Sequence, residues 1–200
     1  MPAPSRPSEG RTDDEPDEAL MLAYAAGRAD AFDALYARNK GPLYRYLLRH
    51  CGNAGVAEEL FQDLWMSVVR ARHTYAPTAK FTTWLYTLAR HRLVDHWRAR
   101  GQVGLVSLDD DDDARSLVEA VPASRGDQPE VRAQSNQIAR QLANALAQLP
   151  AAQREAFLLQ QEAGLSLAEI AELTGAGEET IKSRLRYATA KLRTALEPLT

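Results

Sequence analysis

The chain has 200 residues, 45% of them hydrophobic, with 24 Lys and Arg against 27 Asp and Glu for a formal net charge of −3; this size allows one or two domains with a folded core. Cys51 is the only cysteine, which excludes an intrachain disulfide and a cysteine-built zinc site. No apolar run reaches membrane-spanning length and the first residues lack the apolar stretch of a secretory signal, so a cytoplasmic protein with no membrane partner is expected.

Residues 1–16, rich in proline and acid, read as a disordered tail. A helical domain is expected over 17–100, because apolar residues recur there at helical spacing. Its first helix, 17–26, offers Leu20, Leu22 and Tyr24 for packing, and its second, 30–38, offers Phe32, Leu35 and Tyr36. Gly41-Pro42 then interrupts or kinks the pattern before a third element over 43–50. Gly52-Asn53-Ala54-Gly55 reads as a loop. The helix over 56–72 has a wide apolar face (Leu60, Phe61, Leu64, Trp65, Val68, Val69) opposite Glu58, Glu59, Gln62 and Asp63. A loop through Pro77 leads to a helix over 82–100. There Trp84, Leu85, Leu88, Val94 and Trp97 are candidates for the core, the ordinary place for helical tryptophan. Lys80, Arg90, Arg92, Arg98 and Arg100 are placed to track a phosphate backbone, and aromatic or His side chains beside such cations can hold unstacked bases.

Charge divides sharply at this point. Residues 70–100 hold seven Lys and Arg against Asp95 alone, whereas 101–130 hold eight acids against Arg115 and Arg125. A basic block followed by an acidic one suggests a DNA-facing surface joined to a segment that avoids DNA. The stretch 101–129 has no sustained amphipathic period, and five consecutive aspartates repel one another, so it reads as a flexible acidic linker with local contacts at most at 103–108 or 116–121. Fully extended it spans roughly 100 Å, and as a coil about 30 Å.

A second helical domain is expected over 130–200. Ile138, Leu142, Leu146 and Leu149 make one stripe ending at Pro150, and Phe157, Leu158 and Leu159 belong to the next helix, closed by Gly164. Residues 166–193 then read as a helix-turn-helix, a module that puts its second helix in the major groove of duplex DNA. Ser166 with Glu169 fits a capping box. Leu167, Ile170, Ala171 and Leu173 form the apolar face of the first helix, and Thr174-Gly175-Ala176-Gly177 supplies the turn. Glu178 and Glu179 suit the dipole at the start of the next helix, whose Ile181, Leu185, Ala188 and Leu192 face inward. Its other face carries Thr180, Lys182, Ser183, Arg184, Arg186 and Tyr187, side-chain types that reach base edges and phosphates; the plain alternative is a solvated face. The fold class expected is therefore all-α, two small helical domains joined by a flexible acidic linker.

Taken together, these blocks resemble bacterial RNA polymerase sigma factors of the extracytoplasmic-function class. AEELFQDLWMSVVR looks like the domain 2 helix that docks on the polymerase clamp, and FTTWLYTLARHRLVDHWRAR like the segment that melts and reads the −10 element. LPAAQREAFLLQQEAGLSLAEIAELTGAGEETIKSRLR looks like domain 4, the reader of the −35 element. The resemblance implies a promoter-specificity subunit that is not an enzyme, needs no cofactor, and has core RNA polymerase (clamp and flap surfaces) and promoter DNA as partners. An anti-sigma protein or a regulatory kinase are the implied candidates for control. By position, Glu58, Glu59, Gln62 and Asp63 would meet polymerase. Lys80, Trp84, Arg90, His91, Arg92, Asp95, Arg98 and Arg100 would lie at the −10 element, and Thr180, Lys182, Ser183, Arg184, Arg186 and Tyr187 at the −35 element. Relatives often carry asparagine where this chain has His91, and arginine where it has Tyr187 and Thr189, which bears on base preference. The acidic linker would occupy the channel that RNA later takes.

Two other classes fit parts of the sequence. A standalone helix-turn-helix regulator would dimerise on a palindromic operator, but has no need of the clamp-like helix or the basic-aromatic helix. Catalysis or a metal site would have to use His91, Asp95 and His96, whose spacing gives no further ligand cluster, so no metal is expected.

Overall fold

The computed structural model describes residues 12–101 and 129–197, and there the chain forms eight α-helices and one short 3-10 turn, with no strand. Helices α1 (Asp17–Ala25), α2 (Ala29–Cys51), α3 (Ala54–Ala71) and α4 (Phe81–Ala99) make the first group. Helices α5 (Pro129–Ala147), α6 (Ala151–Ala163), α7 (Leu167–Thr174) and α8 (Glu178–Leu196) make the second. The all-α expectation holds. The aspartate run and the local contacts expected at 103–108 and 116–121 lie outside the described residues.

Helix α2 departs from the expected pattern, since it runs unbroken through Gly41-Pro42. Proline removes one backbone hydrogen bond and costs about 3 kcal/mol in a helix interior. Part of the penalty is a clash with the Cβ of the preceding residue, and Gly41 has none. The rest is outweighed by burial: Ala31, Leu35, Asn39, Leu43, Leu47 and Cys51 form a continuous i, i+4 row, and every one is buried. Asn39 is the polar member of that row. Its amide donates to Asp17 Oδ2 at 2.8 Å and to the Leu35 carbonyl at 2.9 Å, so it enters the core satisfied.

Arg38 ties down the approach to α1. It donates to Asp17 Oδ1 and to the Glu15 carbonyl, both at 2.7 Å, and also to the Thr12 carbonyl. Residues 12–16, read from sequence as part of the tail, are thereby held against α2. Gly52 closes α2 with φ of 65°, a left-handed conformation open to glycine. Asn53 then caps α3 by accepting from the Val56 amide at 3.0 Å, so α3 begins at Ala54, inside the stretch expected to be loop. An aromatic seam joins α2 to α3: Phe32 meets Trp65 edge-on at 5.7 Å, and Tyr44 meets Phe61 at 5.7 Å.

The second group closes around α8. Ile181, Leu185, Ala188 and Leu192 are all buried, as their spacing requires, against Leu146, Leu149, Leu158, Leu159 and Ile170. Ile138 departs from the expected stripe and is 44% exposed. Phe157, Leu142, Leu167 and Leu173 are only half-buried, packed against the core. Ser166 accepts from the Glu169 amide while Glu169 accepts from the Ser166 amide at 2.8 Å, the reciprocal arrangement of a capping box. Gly175, at φ 72°, makes the turn.

The two groups meet. Helix α6 packs on α2 and α4, and one hydrophobic cluster runs through both. His50 is buried at this junction, where desolvation first, and then the cations Arg154 and Arg90, push its imidazole down to about 3.

Replacing Ser166 with Ala should cost about 1 kcal/mol of stability, measured by chemical denaturation. The Glu169 carboxyl is held down to about 2, chiefly by the Ser166 amide and hydroxyl. Being depressed, it contributes stability that is complete above its ordinary range near 4.5 and is lost as pH falls toward 2. The stability gap between the wild type and Glu169→Gln should therefore close over that window; a gap that stays constant would show that the Glu169 charge contributes nothing.

Candidate polymerase- and DNA-facing surfaces

The exposed side of α3 is set by the same periodicity that buries Leu60, Phe61, Leu64, Trp65 and Val68. Glu58, Glu59, Gln62 and Asp63 all point to solvent, and Gln62 Nε2 donates to Glu58 Oε1 at 3.2 Å. Sequence reading missed Met66, which is 49% exposed one turn further along. An exposed, flexible apolar side chain beside carboxylates gives this face a contact that charge alone lacks. Its signal lay in the helical period, which puts Met66 on the stripe of Glu59 and Gln62.

Helix α4 buries Phe81, Leu85, Tyr86, Ala89 and Leu93. Of the expected core set, Leu85 is buried and Trp84 and Leu88 pack against the core from its edge. Trp84, Leu88, Val94 and Trp97 are half-buried, and the fully enclosed aromatics are Phe81 and Tyr86. Trp84 stands at the entrance of α4 in a cluster with Phe81 at 5.6 Å and Tyr75 at 5.1 Å. Tyr75, on the loop before α4, was not picked from sequence; burial, then Glu18 and Asp17, push its phenol up to about 12. Helix α4 has no side-chain cap of its own. The Phe81 amide donates instead to Glu18 Oε1 of α1 at 2.5 Å, so a carboxylate remote in sequence fixes where α4 begins.

His91, Arg92, Asp95, Arg98 and Arg100 are exposed along α4, and Arg92 donates to Ser67 Oγ of α3 at 2.9 Å. Two members of the expected set are engaged by the second group of helices. Arg90 Nε donates to Glu155 Oε1 at 2.8 Å, with only 18% of its side chain exposed, and Lys80 Nζ lies 3.1 Å from Glu169 Oε1. Neither contact has a short-range sequence signal.

On α8, Thr180, Lys182, Arg186 and Tyr187 are exposed, while Ser183 and Arg184 are half-buried. The Arg186 guanidinium lies over the Tyr187 ring, 5.0 Å from its centroid, and Lys182 lies 3.6 Å from Glu179. The helix thus presents a hydrated cationic face next to the tight turn at Gly175. Among the described residues no group of three or more His, Cys, Asp or Glu side chains is placed to hold a metal ion. No helix among them is long and apolar enough to cross a membrane.

Known families divide the chain at the same places as these surfaces. Residues 35–103, which include the α3 face and all of α4, match the model of Sigma-70 region 2. Residues 139–192, which include the helix-turn-helix, match that of Sigma-70, region 4. The chain is 31% identical over 179 residues to RNA polymerase sigma factor CarQ of Myxococcus xanthus, covering 90% of this chain and 97% of that protein. It is 32% identical over 185 residues to ECF RNA polymerase sigma factor SigL of Mycobacterium tuberculosis, covering 90% and 97%. Among solved structures, CnrH in complex with the cytosolic domain of CnrY shares the fold, with a TM-score of 0.63 at 20% identity over 92% of this chain and 99% of that one. So does RpoE of Bartonella quintana in complex with the anti-sigma factor NepR, with a TM-score of 0.63 at 24% identity over 83% and 96%. The chain belongs to the ECF family of RNA polymerase sigma factors.

Proposed function

We propose that this sigma factor divides promoter recognition between its two helical groups, 17–100 and 130–200, and carries no chemistry of its own. The observation that carries the reading is a pair of separate cationic helix faces, one on α4 beside a half-exposed aromatic cluster and one on α8 behind a glycine turn. Duplex DNA suits the second. Arg184 and Arg186 are of the type that bonds guanine edges, while Thr180, Lys182, Ser183 and Tyr187 reach phosphates and neighbouring bases. Single-stranded DNA suits the first, since Trp84 offers a stacking surface and Lys80, Arg90, Arg92, Arg98 and Arg100 a cationic track. His91 and Asp95, one turn apart on α4, add polar groups for base edges at the −10 element.

Strand separation is unfavourable by a few kcal/mol for each unstacked base. Contacts to the freed strand on α4 offset it, and duplex contacts on α8 anchor the complex. Glu58, Glu59, Gln62 and Asp63, with Met66, form the face that docks on core RNA polymerase. The work is done in the cytoplasm, where polymerase and chromosome are, under the control of an anti-sigma partner of the kind that NepR is for RpoE of Bartonella quintana.

Changing Arg184 and Arg186 together to Ala should weaken initiation that depends on the −35 element, by about 1–3 kcal/mol for each arginine that bonds a base edge. Unaltered promoter footprints in the double variant would remove these residues from the −35 interface. Reversing charge with Glu59→Lys and Asp63→Lys should lower affinity for core polymerase about fivefold or more with helix content unchanged; equal affinity would place docking elsewhere. Replacing His91 with Asn should change base preference within the −10 element, read by transcription from a randomised promoter library, and an identical profile would exclude His91 as a reader.

A further inference from the structure

Lys80 stands at the N-cap position of α4, where its side chain can donate but not accept. A serine, threonine, asparagine or aspartate there would hold the first turn from within. Such a local cap stabilises a helix wherever that helix lies. A cap from another element also fixes where the helix begins relative to that element. Glu18 of α1 supplies the second kind, accepting from the Phe81 amide across 63 residues of sequence.

The loop before α4 gives its start little support. Residues 73–80 are exposed apart from Tyr75, which is half-buried. The Tyr75 hydroxyl is buried with no hydrogen-bond partner among the described residues, so the loop is tied to α4 by the packing of that ring on Phe81 and Trp84. α1 is anchored far more strongly. Leu20 and Met21 are wholly buried, and Asp17, beside Glu18, accepts from Arg38 and Asn39 of α2. Glu18 therefore joins the first turn of α4 to the fixed frame of α1 and α2. That turn ends in Trp84, whose amide donates to the Lys80 carbonyl at 3.1 Å. The Trp84 ring lies 5.6 Å from that of Phe81, the residue whose amide Glu18 holds. A ring that stacks on a base must be placed to within about 0.5 Å by the groups behind it.

We propose that Glu18 is a positioning residue for strand recognition: its carboxylate, carried by α1, sets the first turn of α4 so that Trp84 meets the freed −10 strand. Glu18 itself touches no DNA and acts through Phe81 and Trp84. The proposal rests on the reading of α4 as the strand-binding face. A contact that only stabilised the fold would lower every activity alike. Glu18 acts on strand opening, and leaves polymerase docking through α3 and duplex reading through α8 as they are.

The test uses holoenzyme assembled from the full chain and core bacterial RNA polymerase, on a linear duplex promoter fragment recovered by transcription from a genomic library. Permanganate reactivity of thymines reports opening at the −10 element, nuclease footprinting the upstream contact, and circular dichroism the helix content of the chain. The variants are Glu18→Ala, Glu18→Gln (which keeps an acceptor oxygen without the charge), Trp84→Ala, and Glu18→Ala combined with Trp84→Ala. Glu18→Ala should lower the equilibrium for opening about tenfold and Glu18→Gln about threefold, with core affinity and upstream footprint unchanged. The double variant should open no less than Trp84→Ala alone, because residues that act through one contact are not additive. Unchanged opening in Glu18→Ala, a matching loss of core affinity, or losses that multiply in the double variant each contradict the proposal. Where Glu18→Ala loses helix content, Glu18→Gln and its combination with Trp84→Phe decide by the same criteria. Full opening by Trp84→Ala contradicts instead the reading of α4 as the strand-binding face, and the proposal falls with it.

Discussion

Helix α2 is the constraint on which the rest of this structure depends. A row of residues spaced by four turns slowly about the axis, by about 200° over the six residues from Ala31 to Cys51. One helix can therefore face different neighbours along its length. α1 is tied to its N-terminal half through Arg38, Asn39 and Asp17. α3 lies along it through the Phe32–Trp65 and Tyr44–Phe61 contacts. α6 meets its C-terminal half through Arg45 and Arg49. A break at Gly41-Pro42 would uncouple these contacts, which is why the burial on either side of the proline outweighs its missing hydrogen bond.

The two helices proposed to face DNA are positioned by different means. α8 is placed by a local device, the capping box of α7 and the left-handed glycine at 175, and its inward row fills the core of the second group. α4 is placed by remote contacts: a carboxylate of α1 sets its start, the loop residue Tyr75 packs against Phe81 and Trp84, and Tyr46 meets Tyr86 edge-on at 5.0 Å. The difference suits the two tasks. A duplex reader docks as a rigid unit on DNA of regular shape, whereas a strand reader must present a platform of fixed aromatic and cationic groups to a flexible ligand.

These two modes also decide what was legible in the sequence. The helix-turn-helix could be read almost residue by residue, because Ser166, Glu169, Gly175 and the Ile181–Leu192 row act within a few positions of one another. The α3 face was legible for the same reason, apart from Met66, whose apolar character disguised an exposed position. In α2, a strong local breaker was overruled by tertiary burial. In α4, Trp84 packs at the edge of the core but Trp97 does not join it, and the fully buried places go to Phe81, Leu85, Tyr86 and Leu93, because the partner surfaces of α1 and α2 choose which side of the helix is enclosed. The ion pairs of Arg90 with Glu155 and of Arg45 and Arg49 with Glu162 were invisible, being 65, 117 and 113 residues apart; no local pattern encodes pairings of that separation.

The most direct measurement mixes the purified full-length chain with core bacterial RNA polymerase, weighs the product, and maps the transcripts started from a genomic fragment library. A stable one-to-one complex that begins transcripts at sites sharing two spaced elements is the predicted result, with the upstream element duplex-read and the downstream one melted. No complex with polymerase, together with a dimer of this chain on a palindromic duplex, would contradict the account.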